Sequence, residues 1–507
     1  MIKIIDNFLN KITMYRLVVY ELCFLLAVAG ALGFFGILPY KPLFFFFSLV
    51  FIFFVSEGVN KLFAFMFEVP SNPESTWITA LILTLIITPA TGIFDMQFLP
   101  LAFWASSWAV ASKYILAIRG KSLFNPAALG VVVTSFALGL SASWWVATPI
   151  LSPFVLLGGL LLVRKIHRFD LFWAFVGTFA LGTLYFVLAY GSSFAQTFSQ
   201  SFLYAPVFFF ATVMLTEPAT TPPTRILRIF YGMLVGFLFL PNVSIGSFYF
   251  TPELALLAGN IFSYIVSPKY KMMLQLKKAT RLSSNVYDFT FESNRSISYT
   301  PGQFMEWTLA HSQPDSRSFR RYFTLSSSPT ERNIKLGVKF YEPASTFKKA
   351  LLSMKIGATL VAGQLGGDFT MPKNKKKKLA FIAGGIGVTP FRSMIQYLLD
   401  KRELRDITLL YSNRAPEDAV YADIFEKARR EIGTKTVYAF SDKNIQLPAG
   451  AVSAIDANTI MQRVPDYGER IFYISGPQGM VTSFKEMLLG IGVKRSQIKT
   501  DYFPGFA

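Results

Sequence analysis

The chain has 507 residues, of which 52% are hydrophobic, and its mean hydropathy is +0.43. A single cysteine, Cys23, excludes a disulfide within the chain and an iron–sulfur cluster held by several thiolates. Two histidines are too few for a haem or zinc site. We therefore expect organic cofactors and no metal. The formal net charge is +19, and lysine and arginine gather at the ends of apolar segments. We therefore attribute the positive charge to membrane topology and to contact with anionic lipid. We expect no nucleic-acid partner.

The first half of the chain consists of apolar segments, which predict a multi-pass α-helical membrane domain of about ten spans over residues 1–268. The spans are expected near residues 17–38, 42–58, 76–92, 97–116, 124–142, 144–163, 169–190, 199–216, 226–241 and 248–267. With a cytoplasmic N-terminus, nearly all loop lysines and arginines fall inside, and an even number of spans returns the C-terminus to the same side. We therefore predict a multi-pass protein of the cell membrane with both termini in the cytoplasm.

Two polar motifs lie at the cytoplasmic ends of predicted spans: Ser122–Gly130, which contains Asn125, and Met214–Pro222, which contains Glu217. With Trp77–Thr84, they resemble the membrane subunit shared by Na⁺-translocating NADH:quinone reductase and the Rnf electron-transport complex. The resemblance implies a non-covalent flavin, FMN or riboflavin, near Asn125 and Glu217. The Ser-Gly-Ala-Thr sequence that carries covalent FMN in those relatives is missing here. From the residues alone, Asn125 followed by proline also fits an ordinary helix start, and Glu217 fits a loop carboxylate.

The second half of the chain is polar and changes its pattern once. Short β-rich segments broken by glycine, proline and serine predict a small antiparallel β-barrel over residues 269–372. Over residues 373–507, strands alternate with helical patterns, which predicts an α/β nucleotide-binding domain. The basic run Lys373–Lys378 is interpreted as a solvated linker, with binding of anionic lipid as the alternative.

The segment Arg321–Pro329 reads Arg-Tyr-Phe-Thr-Leu-Ser-Ser-Ser-Pro and resembles the flavin motif of the ferredoxin–NADP reductase family. In that family the arginine pairs with the FAD phosphates, the aromatic residue packs on the flavin and the hydroxyl residue bonds its reactive edge. The resemblance implies these roles for Arg321, Phe323 and Thr324, and both guanidinium–phosphate pairing and aromatic stacking are physically sound. The second half of the FAD site is implied at Ser345 and Thr346, followed by Gly363–Gly366.

A glycine-rich turn follows the predicted strand Leu379–Ala383 and leads into a helix, an arrangement that lets a helix N-terminus meet a pyrophosphate. The same family resemblance extends to Tyr411–Arg414, Ser475–Met480 and the C-terminal Asp501–Phe506. The implied NAD(P)-binding residues are Gly384, Gly385, Gly387, Thr389, Asn413, Arg414, Asp442, Gly476 and Pro477, and the implied catalytic residues are Thr324, Ser475 and Phe506. Many relatives have cysteine where Ser475 stands. NADP-specific relatives often have arginine where Asp442 stands, and because a carboxylate repels a 2′-phosphate, we expect NADH as the donor.

The sequence thus predicts a membrane-bound NAD(P)H:acceptor oxidoreductase that passes electrons from cytosolic NADH through FAD and a membrane flavin to quinone or to an extracytoplasmic flavoprotein. A homodimer is a further possibility that the sequence leaves open. Two other functions stay open: a redox-driven Na⁺ or H⁺ transporter, and a reductase that the membrane half merely anchors. Ten spans exceed what an anchor needs, which favours the electron-transfer interpretation over the anchor.

Overall fold

The computed structural model describes residues 5–6, 8–9, 12–68, 73–118, 121–241, 243–246, 248–267, 272–293, 297–311, 315, 319–342, 344–442 and 444–503. The chain divides into two compact units, Met1–Tyr270 (unit 1) and Lys271–Ala507 (unit 2). Each unit is described by itself.

Unit 1 is α-helical, and each of the apolar segments contains a helix. The helices are α1 (Met14–Phe34), α2 (Pro42–Met66), α3 (Pro73–Ile86), α4 (Phe98–Ile115), α5 (Pro126–Leu138), α6 (Ser152–Ile166), α7 (Phe169–Tyr190), α8 (Phe194–Ser199, continued by a π-helix to Tyr204), α9 (Val207–Phe209, continued by a π-helix to Met214), α10 (Arg225–Leu238) and α11 (Pro252–Val266). Two short hairpins complete it: β1 (Ala117–Ile118) with β2 (Lys121–Ser122), and β3 (Ser244–Ile245) with β4 (Phe248–Tyr249). Several helices begin with proline at their first position, where its missing N–H costs nothing.

The predicted count of ten membrane spans is wrong. Among the described residues, only α1, α2 and α7 are long and apolar enough to cross a membrane, and a fourth span results if the pair Phe194–Tyr204 and Val207–Met214, bent by 51°, is taken as one. The apolar segments exceeded the helices inside them, because turns and caps in this unit are themselves apolar. Helix α3, for example, has 14 residues, and at about 1.5 Å per residue it is shorter than a hydrocarbon layer of about 30 Å.

The helices of unit 1 approach one another closely at glycines. A Cβ on Gly130 of α5 would lie 2.2 Å from the Ala105 carbonyl oxygen and 2.8 Å from the Ala109 Cβ, both in α4. Small residues at such a contact allow two backbones to pack directly. The close packing of α4 and α5 fixes the start of α5, where Asn125 lies.

Unit 2 begins with a six-stranded antiparallel sheet, which with its helix α12 we call the FAD lobe (residues 272–367), after the cofactor that the sequence resemblance implies. Its strands are β5 (Met272–Arg281), β6 (Val286–Ser293), β7 (Phe304–Thr308), β8 (Arg320–Thr324), β9 (Ile334–Lys339) and β10 (Thr359–Gly366), and α12 is Thr346–Leu352. The order is β8-β7-β10-β5-β6-β9. The prediction of a closed barrel is wrong: in the described part of the chain no pairing joins the edge strands β8 and β9, so the sheet is open. Bulges in β5 and β10 bend the sheet without closing it.

The rest of unit 2 is a five-stranded parallel sheet with helices on its faces, which confirms the α/β prediction; we call it the nucleotide lobe (residues 379–503). Its strands are β11 (Leu379–Gly384), β12 (Ile407–Asn413), β13 (Lys435–Phe440), β14 (Ile471–Pro477) and β15 (Ile498–Phe503), and its helices are α13 (Thr389–Lys401), α14 (Ala422–Ile432), α15 (Ala457–Arg463) and α16 (Gln478–Gly490). The order is β13-β12-β11-β14-β15. Every residue of the central strand β11 is buried, as helices on both faces require.

Candidate functional site

The direction of the connections in the parallel sheet reverses between β11 and β14, so the carboxyl ends of these strands border a crevice. Gly384 ends β11, and Gly385 follows with a left-handed φ of +51°. A Cβ on Gly387 would lie 2.4 Å from the Ser475 carbonyl oxygen and 2.6 Å from the Gly476 Cα. The glycine-rich turn can therefore pass directly over the end of β14, and this close approach requires glycine at position 387.

Helix α13 starts immediately after this turn. Thr389 is its first residue, is buried, and donates its hydroxyl to the carbonyl of Ile386 at 3.2 Å. Pro390 follows in the first turn, where no N–H is needed. The first backbone N–H groups of α13 therefore lie beside the crevice, in the position where a helix favours an anion.

Ser475, near the end of β14, is fully buried, and its hydroxyl has no hydrogen-bond partner within the described residues. The register places it between Ala383 of β11 and Asp501 of β15, so the three side chains share one face of the sheet. Burial raises the pKa of the Asp501 carboxyl to about 6. A buried hydroxyl without a partner costs about 1–3 kcal/mol, and at a crevice a ligand can supply the hydrogen bond that such a group lacks.

Asn413 ends β12 and Pro477 ends β14, the two strands that flank β11, so both lie at the same edge of the sheet. The Asn413 side-chain amide is buried, and neither its nitrogen nor its oxygen has a hydrogen-bond partner of good geometry among the described residues. Arg414 comes next and is 81% exposed; its Nε lies 3.9 Å from an Asp442 carboxylate oxygen. An ion pair of this length and exposure is weak, so both side chains can turn to a ligand.

In the FAD lobe, Arg321 and Phe323 project from the same face of β8. Phe347 of α12 connects them, because the Arg321 guanidinium carbon lies 5.3 Å from the Phe347 ring centroid and the Phe323 ring centroid lies 5.9 Å from it. One guanidinium nitrogen, Nη2 of Arg321, donates to both carboxylate oxygens of Asp315 at 2.8 and 2.9 Å. Arg321 is thus placed to hold an anion, and here that anion is a carboxylate of the same chain.

The second half of the predicted FAD site lies beside the first. Ser345 caps α12 by accepting a hydrogen bond from the Lys348 backbone N–H at 3.3 Å. The Thr346 hydroxyl accepts a hydrogen bond from the Asp315 backbone N–H at 3.0 Å. Thr324 ends β8 and is buried. The structure therefore gathers Arg321, Phe323, Ser345 and Thr346 around Phe347 and Asp315, with Thr324 at the end of the same strand.

In unit 1, Asn125 is the N-cap of α5 and accepts a hydrogen bond from the Ala128 N–H at 3.1 Å, which confirms the ordinary helix-start interpretation. It also donates its amide to Glu217 Oε2 at 2.8 Å. The Asn125 backbone N–H donates to the side-chain oxygen Oδ1 of Asn260 at 2.8 Å. The side-chain Nδ2 of Asn260 in turn donates to the Tyr231 hydroxyl at 3.0 Å. A continuous hydrogen-bonded chain therefore runs from Glu217 to Tyr231.

One predicted site residue is not tested by the structure, and four residues of the observed sites were not predicted from the sequence. Phe506 lies outside the described residues, so its predicted role is not tested. Across the described ranges there is no group of His, Cys, Asp or Glu that could hold a metal. The residues that sequence reasoning missed are Phe347, Asp501, Asn260 and Tyr231. Of these, Phe347 and Asp501 adjoin or belong to quoted motifs, whereas Asn260 and Tyr231 meet Asn125 only through the fold.

Two family models match the chain, and both lie in unit 2. The first describes an oxidoreductase FAD-binding domain and covers residues 273–367; the second describes an oxidoreductase NAD-binding domain and covers residues 381–486. These spans coincide closely with the FAD lobe and the nucleotide lobe. The residues present fit such cofactors, because a partnerless buried serine and a glycine-rich turn face the crevice and an anion-holding arginine stands on β8.

Curated relatives are similar to the chain over 36–47% of its length. The reductase component of propane 2-monooxygenase from Rhodococcus jostii is 26% identical over 40% of this chain and 55% of its own length. A flavohemoprotein from Candida albicans is 27% identical over 36% of this chain and 46% of its own, and NADH-cytochrome b5 reductase 1 from Ajellomyces capsulatus is 25% identical over 47% and 81%. The chain spans about half the length of the first two of these relatives.

Among solved structures, the FAD/NAD-binding domain of a nitric oxide dioxygenase from Vibrio cholerae aligns with a TM-score of 0.41 at 18% identity, over 46% of this chain and 98% of that one. Together, the two family models and these relatives show that unit 2 is an FAD- and NAD-binding oxidoreductase module.

Proposed function

We propose that this oxidoreductase is anchored in the cell membrane by several spans, takes electrons from cytosolic NADH onto FAD in unit 2, and passes them through a flavin in unit 1 to quinone or to an extracytoplasmic flavoprotein. The observation that carries the unit 1 step is the buried hydrogen-bonded chain from Glu217 through Asn125 and Asn260 to Tyr231. Buried polar groups linked in this way are more typical of a site than of a lipid-facing surface.

In the FAD lobe, we assign phosphate binding to Arg321 and packing against the flavin to Phe323. The phosphates would replace the Asp315 carboxylate on the arginine, since both are oxyanions that suit a guanidinium. The hydroxyls of Thr324, Ser345 and Thr346 would supply further hydrogen bonds. FAD, when bound, supplies the conversion from paired electrons to single ones.

In the nucleotide lobe, we assign the pyrophosphate to the turn of Gly384, Gly385 and Gly387 and to the start of α13 at Thr389. The nicotinamide would lie against Ser475, Gly476 and Pro477, where the Ser475 hydroxyl would gain its missing hydrogen bond. At the far end, Asn413 and Arg414 would contact the adenosine half, and Asp442 would accept hydrogen bonds from a ribose diol. The last assignment makes NADH the preferred donor.

Two other functions remain candidates. Three or four spans are enough for an anchor, so the number of spans no longer argues against a reductase that is merely anchored. For ion transport, Glu253 in α11 is buried and accepts a hydrogen bond from the Trp144 indole at 2.7 Å. One buried carboxylate does not define an ion path, so we rank transport below electron transfer.

Counting flavins on the purified full-length protein tests the proposal. We expect two kinds of non-covalent flavin, one FAD and one FMN or riboflavin per chain, released by denaturation and identified by chromatography. The matched control is the double variant Asn125→Ala with Glu217→Ala, which should keep FAD and lose the second flavin. A single FAD in the wild-type protein, purified in mild detergent with its membrane lipid, would establish the anchored reductase instead.

A further inference from the structure

Buried hydrogen bonds connect the first turns of α13 to the loop that follows β8. Arg392 Nη1 donates to the Ser326 carbonyl at 3.0 Å, and the Ser393 hydroxyl donates to the Ser327 carbonyl at 2.5 Å. All four residues are buried. The loop begins directly after Thr324, and α13 begins at the glycine-rich turn, so the bonds join the two segments that face the two cofactors.

A second link lies beside the first. The Tyr421 hydroxyl, just before α14, donates to Asp288 Oδ1 in β6 at 2.9 Å, and the Ser326 hydroxyl donates to the same oxygen at 3.3 Å. The Arg392 guanidinium lies 5.7 Å from the Tyr421 ring centroid and also pairs with Glu331, with Nη2 3.0 Å from Oε1. We call Asp288, Ser326, Glu331, Arg392 and Tyr421 the interlobe seam.

The seam has a defined geometry and little room to change it. A Cβ on Gly337 of β9 would lie 2.7 Å from the Tyr421 hydroxyl and 2.8 Å from the Thr389 Cγ2, so the two lobes touch there without space for one more carbon. Buried ion pairs add little net stability, because desolvation offsets their attraction, but their directional bonds define one arrangement. The seam is therefore better suited to fixing a position than to stabilising the fold.

We propose that the interlobe seam sets the separation of flavin and nicotinamide, which makes Arg392 and Tyr421 positioning residues for hydride transfer. In that step NAD(P)H gives up a hydride, two electrons with one proton, and becomes NAD(P)⁺, while FAD takes the hydride together with a proton from water. The rate depends steeply on the distance between the two rings, and a displacement of about 1 Å can cost about 100-fold. Each cofactor is assigned mainly to its own lobe, so we expect the seam to affect hydride transfer more than cofactor binding.

Rapid mixing of the full-length protein with NADH, without oxygen, measures the rate constant of flavin reduction directly. We expect Tyr421→Phe to lower this rate constant about 5-fold and Arg392→Lys about 10- to 100-fold. FAD content and the Kd for NADH should stay within about 2-fold of wild type, because neither residue is assigned to a cofactor. With NADH deuterated at the transferred position, the isotope effect on kcat should rise as hydride transfer becomes limiting.

The matched control is Arg470→Lys. Arg470 is another buried, ion-paired arginine of the nucleotide lobe, 2.9 Å from Asp406 and 2.6 Å from Asp466, but it lies at the opposite end of the sheet, before β14. It should lower Tm and leave the reduction rate constant unchanged. Unchanged reduction in Tyr421→Phe and Arg392→Lys would overturn the proposal, and so would an equal loss in Arg470→Lys. If Arg392→Lys does not fold, Tyr421→Phe, which lacks one oxygen, decides the question alone.

Discussion

The candidate sites of the two units differ in how their buried polar groups are bonded. In unit 2, the Ser475 hydroxyl has no partner among the described residues although it is fully buried. In unit 1, Asn125 is bonded through its side-chain oxygen, its amide and its backbone N–H, and each bond is to the protein itself. A partnerless group calls for a ligand, whereas a satisfied one can serve a ligand or only the fold. The site of unit 2 can therefore be recognised from its unpaired hydroxyl, whereas ligand binding in unit 1 has to be tested by experiment.

The largest expected effect is the loss of FAD binding when Arg321 of unit 2 is removed. Arg321→Ala should weaken FAD binding about 100- to 1000-fold, because it removes charge-assisted hydrogen bonds worth about 1.5–3 kcal/mol each. Flavin content after gel filtration measures the loss. Arg320→Ala is the control, since Arg320 neighbours it on β8 and lies 3.8 Å from Glu306. Full FAD occupancy in Arg321→Ala would remove Arg321 from the site.

A pH effect is expected next, from Asp501. Its carboxyl has a pKa of about 6 in the folded chain against 3.8 ordinarily. Because the folded state holds the proton more tightly, the stabilisation is complete below pH 3.8 and is lost as the pH rises through about 6, by up to about 3 kcal/mol. Chemical unfolding of wild type and Asp501→Asn between pH 4 and 7 measures it. The wild type should lose stability over this range relative to the variant, and parallel curves would show that Asp501 titrates normally.

The preference for NADH over NADPH, measured as the ratio of the two kcat/KM values, should change by about 10- to 50-fold when Asp442 is replaced by arginine. Asp442→Arg removes a carboxylate that repels the 2′-phosphate and adds a cation that attracts it, so kcat/KM should shift from NADH towards NADPH. Arg414→Ala is the companion variant: it removes the cation 3.9 Å from Asp442 and should lower use of NADPH further. A wild-type preference for NADPH would show that Asp442 does not set the choice.

The smallest expected effect concerns the partnerless hydroxyl itself. Ser475→Ala should leave the protein as stable as wild type or more stable by about 1 kcal/mol, because an unsatisfied buried group disappears. The rate constant of flavin reduction should nevertheless fall about 10-fold, since the hydroxyl no longer orients the nicotinamide. A loss of stability instead would mean that Ser475 serves the fold, and unit 2 would then resemble unit 1.

The sequence predicts the positions of elements better than their extent or closure. A helix lies in each apolar segment, but the spans were overcounted, since apolar residues in turns are indistinguishable from apolar residues in helices by hydropathy. Alternating segments predict the strands of the FAD lobe, but whether β8 pairs with β9 depends on tertiary bending that no local pattern records.

The same limit applies to the site. Glycines 384, 385 and 387 are marked by their own sequence, and Arg321 by its motif. The seam residues Arg392 and Asp288 are far apart in sequence and become neighbours only when α13 packs on the FAD lobe. Asp315 could not be foreseen as the carboxylate on Arg321, because the pairing depends on how the chain before β8 folds back.

In the proposed function electrons leave through unit 1, and the activity of one double variant tests this step most directly. Asn125→Ala with Glu217→Ala should leave the oxidation of NADH by a soluble dye intact, because the dye takes electrons at the FAD of unit 2. Reduction of a quinone, or of an outward-facing flavoprotein, by the same protein in a bilayer should fall at least about 10-fold. Unchanged quinone reduction would contradict the claim and establish unit 1 as an anchor, and an equal loss of both activities would show that the two residues support only the fold.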